Sequence, residues 1–390
     1  MQTIKTGYKN TEVGIIPEDW EVKTIGDISK LKNGYAFSSD FFSKTGPIVI
    51  TPGNFKLEGG LKFNEKNTLR YSGYISKEMQ FQNGDLLIVM TDLTPDCNLL
   101  GKPGIVNSEE IILHNQRIGK ITVTSNQVNQ EYLYWFFVSD LFSKRMKETA
   151  TGSTVRHTSV GSINNSLIAI PTKAEQTAIA TALSDADALI SSIEKLITKK
   201  RNIKQGAMQK LLQPKEGWEV KKLGEIVNIK KGQLITEETR IEGLIPVIAG
   251  GKKAAYYHNK PNRFGNTITI SGSGASAGYV AFHSYPIFAS DCSTIEESKY
   301  YCIEFIYNFL LWIQDKIYKM QTGGAQPHIH PSDLNPIEVS FPKKEKQEEI
   351  ATILSDMDAE INALETKLEK YKKVKLGMMQ NLLTGKIRLV

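Results

Sequence analysis

Two short loops carry the side chains best suited to chemistry. Thr151-Gly-Ser-Thr-Val-Arg-His157 aligns with Thr322-Gly-Gly-Ala-Gln-Pro-His328 at a constant shift of 171 positions. A glycine-rich turn presenting Arg156, His157, Gln326 and His328 can donate hydrogen bonds to phosphate oxygens, and Arg or Gln can also read the edges of bases. A tight turn whose histidine is satisfied locally would look the same. Covalent chemistry finds no comparable residues. The sequence contains no Walker lysine motif, HExxH, GxSxG or spaced carboxylate cluster, and no Pro-Pro-aromatic methyltransferase tetrad; Asn335-Pro336-Ile337 lacks the second proline and the aromatic. Gly272-Ser-Gly-Ala-Ser-Ala277 formally fits a dinucleotide fingerprint, but that motif must open a helix. The residues that follow, from Tyr279 to Pro286, read as strand and turn, so a loop allowing close backbone approach is the better reading.

The loops belong to a larger repetition. Residues 171–213 and 342–384 align without a gap, with 20 of 43 positions identical. Upstream, Trp20-Glu-Val-Lys23 recurs as Trp218-Glu-Val-Lys221 at a shift of 198. The order is opening motif, variable block, helix, and then the same again, which predicts a pseudo-two-fold symmetric chain. The repeated frame encloses 131 positions from Trp20 to Thr151 but 104 from Trp218 to Thr322, and the enclosed sequences show little likeness. Two different recognition surfaces on one scaffold would explain a kept frame with changed contents.

In the repeats, Ile179, Leu183, Ala186, Ile190, Ile193 and Ile197 step by four and three, and Ile350, Leu354, Met357, Ile361, Leu364 and Leu368 step identically. That is the seam of a coiled coil over about three heptads. Prolines 171 and 342 precede the runs, while Pro214 and Gly385 follow them. Each helix can reach ~40 residues, or roughly 60 Å at 1.5 Å per residue. Burying both seams against each other predicts an antiparallel pair; the alternative is that each helix packs on its own domain. The basic clusters Lys199, Lys200, Arg201, Lys204 and Lys370, Lys372, Lys373, Lys375 come after the heptads rather than before them, which argues against a zipper-type DNA binder and for a solvated or partner-binding end. The first block has strand-like runs at 46–51, 85–91 and 117–124 and a helical run at 129–147. The second has strand-like runs at 244–249, 267–271 and 278–282 and a helical run at 304–319. The fold class is therefore α+β: two α/β domains separated by two long helices, divided as 1–170, 171–213, 214–341 and 342–390.

At 390 residues, with 40% hydrophobic and 23% charged residues, the chain is an ordinary globular protein of two or three domains. A net charge of +6 and a pI near 8.9 are compatible with a polyanionic partner without requiring one. No apolar run reaches the ~18 residues of a membrane span, and no secretory leader is visible. Cys97, Cys292 and Cys302 have neither zinc-site nor disulfide spacing, which fits a reducing cytoplasm.

Taken in order, these motifs resemble those of the specificity subunits of type I restriction-modification systems over essentially the whole chain. The carrying residues are Ile16-Pro-Glu-Asp-Trp20 and Pro214-Lys-Glu-Gly-Trp218, the Thr-Gly loops ending at His157 and His328, and the Pro-x-x-x-x-Gln helix starts at Gln176 and Gln347. With them go Leu183-Ser-Asp185 and Leu354-Ser-Asp356, and the ends Gly206-Ala-Met-Gln-Lys-Leu-Leu212 and Gly377-Met-Met-Gln-Asn-Leu-Leu383. The resemblance implies two target-recognition domains, each reading half of a bipartite double-stranded DNA site, held apart by helices that dock two modification subunits. It also implies that catalysis, S-adenosylmethionine, and the ATP and Mg of any restriction subunit belong to partners. It assigns no base-reading residues. Arg156 and Gln326 are the candidate readers, His157 and His328 their supports, and Arg117 and Lys120 candidate phosphate contacts. Ile179, Leu183, Ile190, Ile193, Ile350, Leu354, Ile361 and Leu364 form the candidate spacer seam. Other classes stay open on the residues alone: a coiled-coil scaffold with two protein- or glycan-binding modules, or part of a larger enzyme.

Overall fold

The computed structural model describes residues 6–94 and 96–389, which fall into two compact units: residues 6–192 with 369–389, and residues 193–368. Among the described residues no helix is long and apolar enough to cross a membrane.

In the first unit a four-stranded sheet runs in the order Ser29–Asn33, Ile118–Val123, Leu86–Val89, Pro103–Ile105, all antiparallel. A second sheet centres on Phe42–Val49, flanked by Leu69–Tyr71 antiparallel and Ile112–Leu113 parallel. A two-stranded pair joins Glu21–Thr24 to Leu167–Ile170. The second unit repeats this plan. Its four-stranded sheet runs Lys230–Lys231, Cys292–Glu296, Thr267–Ser271, Val280–His283. Its second sheet centres on Ile245–Ile248, flanked by Tyr256–His258 antiparallel and Phe288–Ala289 parallel. Its two-stranded pair joins Glu219–Lys222 to Glu338–Phe341. The blocks that look unlike in sequence therefore share one topology down to which partner strand is parallel.

Both helical runs break. The first becomes Gln130–Val138 and Asp140–Glu148, because the Ser139 hydroxyl donates to the Phe136 carbonyl (2.6 Å) and caps the next helix. The second becomes Ile303–Trp312 and Gln314–Lys319. On one face of each four-stranded sheet lies the unit's main core. Leu86, Ile88 and Ile121 meet Tyr132, Phe136, Phe137 and Phe142 in the first unit; Ile268, Ile270 and Ile295 meet Phe305, Ile306 and Phe309 in the second.

The long helices are Lys173–Leu212 and Lys344–Leu382. The glutamines at matching positions of the two repeats act as brackets. Gln176 is buried, donates to the Pro171 carbonyl (2.9 Å) and accepts from the Asn129 amide (2.8 Å) at the cap of Gln130–Val138. Gln347 donates to the Pro342 carbonyl (2.8 Å) and accepts from the Cys302 amide (3.0 Å) at the cap of Ile303–Trp312. One amide thus satisfies two orphaned backbone groups and fixes each long helix to its domain.

Within each unit the helices run antiparallel, as expected. In the second unit Lys204 meets Asp358 (2.5 Å), Lys200 meets Glu360 (2.6 Å) and Arg201 meets Glu365 (2.5 Å); in the first, Lys375 pairs with Asp187. These basic residues, expected on a solvated or partner-binding end, instead pair with acids on the facing helix. The eight seam residues are buried, apart from half-buried Leu364. Both seam readings hold at different places. Ile179 and Leu183 join their own domain's core together with Met379, Leu382 and Leu383 of the other helix, and Ile350 and Leu354 join theirs together with Leu212. The division between units accordingly falls inside each helix rather than at its ends.

Candidate nucleic-acid interface

Both Thr-Gly loops close in the same way. Thr151 N–H donates to the His157 carbonyl (3.0 Å) and His157 N–H to the Thr151 carbonyl (2.9 Å); Thr322 and His328 exchange the same two bonds at 3.0 and 2.8 Å. Gly152 (φ 96°) and Gly323 (φ 88°) take the left-handed conformation that starts each turn, where a Cβ would run into the Val155 and Gln326 carbonyls respectively. The glycine repeats because the turn requires it.

Each loop then pairs with the segment leaving the third strand of its four-stranded sheet. In the first unit Arg156–His157 pairs antiparallel with Thr91–Asp92, and Thr91 Oγ1 lies 3.1 Å from His157 Nδ1. Asp92 is buried and accepts from the amides of Thr94 (2.8 Å) and Leu99 (2.6 Å), which locks the neighbouring turn. Arg156 is half-buried, and its Nε is buried without a hydrogen-bond partner among the described residues. In the second unit His328 bridges Ser273, Gly274 N–H donates to the Pro327 carbonyl (3.0 Å) and Ile329 N–H to the Gly272 carbonyl (2.9 Å). The glycine-rich Gly272–Ala277 stretch is therefore a docking edge for the loop, with the expected close backbone approach and with strand Val280–His283 after it. The rings of His328 and His330 stack at 6.1 Å.

The candidate residues divide. Gln326 is exposed at the loop tip, and by position it matches Val155, whereas Arg156 matches Pro327. Arg117 is exposed and close to the first loop along the ladder: its carbonyl accepts from Met90 N–H (2.9 Å), and the Met90 carbonyl accepts from Thr158 N–H (3.0 Å). Lys120 is not brought to the loop. It is half-buried with its ammonium 2.6 Å from Asp85, which neutralises the charge a phosphate would need.

The second unit holds a further group whose residues lie apart in the sequence. A cleft of about 360 Å³ opens between its two sheets, lined by Lys252, Lys253, Tyr257, Thr269, Ser271 and His283, among others. Thr269 and Ser271 are buried, and Thr269 Oγ1 lies 3.0 Å from His283 Nε2. Burial lowers the pKa of His283 from its usual value, which keeps the ring neutral at pH 7. The available signal was the alternation of Thr267, Thr269 and Ser271 with Ile268 and Ile270 in a strand buried on both faces.

Comparison with known proteins bears on both units. The family described as "Type I restriction modification DNA specificity domain" matches residues 17–205 and 215–374. The type I restriction enzyme MjaVIII specificity subunit of Methanocaldococcus jannaschii is 26% identical, covering 96% of this chain and 94% of its own. The putative type I specificity subunit S.MpnORF638P of Mycoplasma pneumoniae is 23% identical, covering 83% of this chain and 85% of its own. Among solved structures, the type I restriction-modification S subunit of M. genitalium shares the fold with a TM-score of 0.66 at 19% identity, covering 93% of this chain and 96% of that one.

Proposed function

The chain belongs to the type I restriction-modification DNA specificity family, and from that premise we propose that it chooses the DNA target for a methyltransferase and restriction complex. Each unit reads one half of a bipartite duplex site. The paired helices set the gap between halves and dock the modification subunits, two in number, with a restriction subunit as a further partner. Methyl transfer, S-adenosylmethionine, ATP and Mg belong to those partners.

The observation carrying this reading is the loop built twice. Two sequences of unlike interior close the same turn with the same pair of hydrogen bonds and dock it on the segment that leaves the corresponding strand, yet present different side chains: Arg156 in one, Gln326 in the other. A shared geometry with changed donors is what two readers of unlike half-sites need, because base edges are distinguished by donor pattern. Arg117 is suited to a backbone phosphate beside the first loop. Lys120, already paired with Asp85, is left out of the reading surface. A scaffold for proteins or glycans is not favoured by the family.

Mapping methylated adenines in cells carrying this chain with its methyltransferase partner tests the proposal. The expected result is a two-part motif with a fixed gap, one half of which changes when the block 219–321 is exchanged. Duplex binding should weaken steeply with salt as counterions are released. Methylation without a two-part motif, or methyl transfer by the purified chain alone, would refute it.

A further inference from the structure

In the first unit, the layer between the two sheets is filled by Ile50, Phe55, Phe81, Leu87, Val89, Val106, Ile112 and Ile118. Phe55 and Leu61 cover Gly104 on the fourth strand so closely that a Cβ there would clash. In the second unit the apolar part of this layer shrinks to Ile248, Ile287, Ala289 and Cys292, and the rest is the cleft. This fold can pack the layer dry, and in the second unit it keeps buried hydroxyls there instead. Burying hydroxyls costs stability unless partners satisfy them; Thr269 meets His283 and Ser271 meets the Gly251 carbonyl, so the polar floor is built and held in place, and it faces an open cleft where the first unit is packed.

The lining indicates the ligand's chemistry. Tyr257 and Tyr285, each about half exposed (51% and 50%), line the cleft together with the less exposed Tyr279. The Lys252 ammonium lies 5.3 Å over the Tyr279 ring beside Lys253, a pairing of cation and aromatic suited to an anion that carries a flat ring. Thr269, Ser271 and the neutral His283 can both donate and accept, as the edge of a heterocycle requires. Place matters as much as composition. Ser271 Oγ donates to the Gly251 carbonyl (3.4 Å), tying the floor to the lysine-bearing turn, and two residues on Ser273 bridges His328 of the Thr-Gly loop. Cleft and loop share an edge.

We propose that this cleft is a nucleotide pocket, taking one nucleotide whose base enters between the tyrosines while its phosphate lies against Lys252 and Lys253. Its volume falls within the range of about 300–1,000 Å³ usual for small-ligand sites. Resting on the DNA-reading function above, the source is a nucleotide of the second half-site extruded from the bound duplex; extrusion is the general means by which a protein admits a base to a pocket. A free mononucleotide shares the chemistry, and the test separates the two.

The full chain, without its methyltransferase so that no other subunit can extrude a base, is bound to a duplex carrying the mapped site. Fluorescent base analogues (2-aminopurine for purines, pyrrolocytosine for pyrimidines) are placed one position at a time, and AMP, GMP, CMP and TMP are titrated separately by calorimetry. The expected result is a several-fold rise in fluorescence at one position of the second half-site and none in the first. Tyr257→Ala and Lys252→Ala, both at exposed positions, should abolish it, as should Ala281→Leu, which fills the floor. Saturable mononucleotide binding lost in Ala281→Leu, with no bright position, would keep the pocket and assign its ligand to solution. No bright position and no mononucleotide binding, with sequence-specific duplex binding intact, would overturn the pocket and leave the function standing. Absence of any sequence preference in the unaltered chain would overturn the function instead.

Discussion

Between its two sheets the first unit is sealed by eight apolar side chains, whereas the second holds a polar cleft floored by Thr269, Ser271 and His283. The strands around these layers nevertheless pair in the same order. A second contrast lies at the repeated tryptophans. Trp20 is fully buried; its Nε1 donates to Glu175 (3.0 Å), which is itself buried and held by Arg388 at 2.6 Å and 2.8 Å. Arg388 also forks onto Asp19 and lies over the Trp20 ring. Trp218 is only half-buried, and the position matching Glu175 is Lys346, which pairs with Glu349 in solvent. The two contrasts together point to a division of labour. The backbone ladders, the bracketing glutamines and the core between sheet and helices specify the fold in both units. The inter-sheet layer is free to become either core or site.

The tryptophan contrast should show most strongly in stability. Arg388→Ala leaves the buried Glu175 carboxylate with the indole as its remaining partner, and breaking such a pair costs about 3–5 kcal/mol. Lys346→Ala removes a solvent-exposed ion pair and should cost under about 0.5 kcal/mol. Urea denaturation of both variants reads the pair; equal losses would erase the asymmetry. Next comes Leu87→Thr in the sealed layer, which removes buried methyl surface and adds an unpartnered hydroxyl, for about 3 kcal/mol. In the second unit Thr269→Val loses one hydrogen bond to His283 and should cost about 1 kcal/mol. A Thr269→Val loss as large as that of Leu87→Thr would mean that both layers carry the fold.

Burial also gives the sealed unit a pH dependence. His114 is buried beside Phe81 and close to the Ile118 carbonyl (2.9 Å), and desolvation lowers its pKa from 6.5 to about 4. Because the folded value lies below the unfolded one, unfolding takes up a proton between those limits. The stabilising contribution is complete above about pH 6.5 and is lost as the pH falls through about 4, a change of about 3 kcal/mol. His114→Gln should flatten this part of the stability profile measured by denaturation between pH 7 and 4; an unchanged slope would place the dependence on other groups.

How much of this was readable depends on the range of the interactions. Heptad steps, proline starts and the Gly152 and Gly323 turns are local, and each appears in the structure where its spacing puts it. The 129–147 run broke because Ser139 can serve the backbone as well as the helix can, a competition that periodicity does not weigh. The shared topology stayed hidden because strands of two to eight residues pair across the chain, and unlike residues satisfy the same ladder. Lys120 looked free because its partner, Asp85, lies 35 positions away. The cleft was missed for the same reason: Thr269, His283 and Lys252 belong to different strands and turns.

The smallest effect concerns the two loops, where the units agree in backbone and differ in side chain. Gln326 is exposed at the tip, and the turn closes through the backbone of Thr322 and His328. Gln326→Ala should therefore leave stability unchanged and relax base preference at one position of the second half-site by about 1 kcal/mol, the lower end of what a side-chain pair to a base edge supplies. Arg156→Ala should do the same in the first half-site. Its Nε is buried without a partner among the described residues, so removing the side chain should cost the fold little. Methylation mapping of both variants, read one half-site at a time, decides the matter. A uniform fall in affinity with every base preference intact would make the loops backbone clamps, and the readers would then have to lie elsewhere on the same edge, with the cleft of the second unit the first place to look.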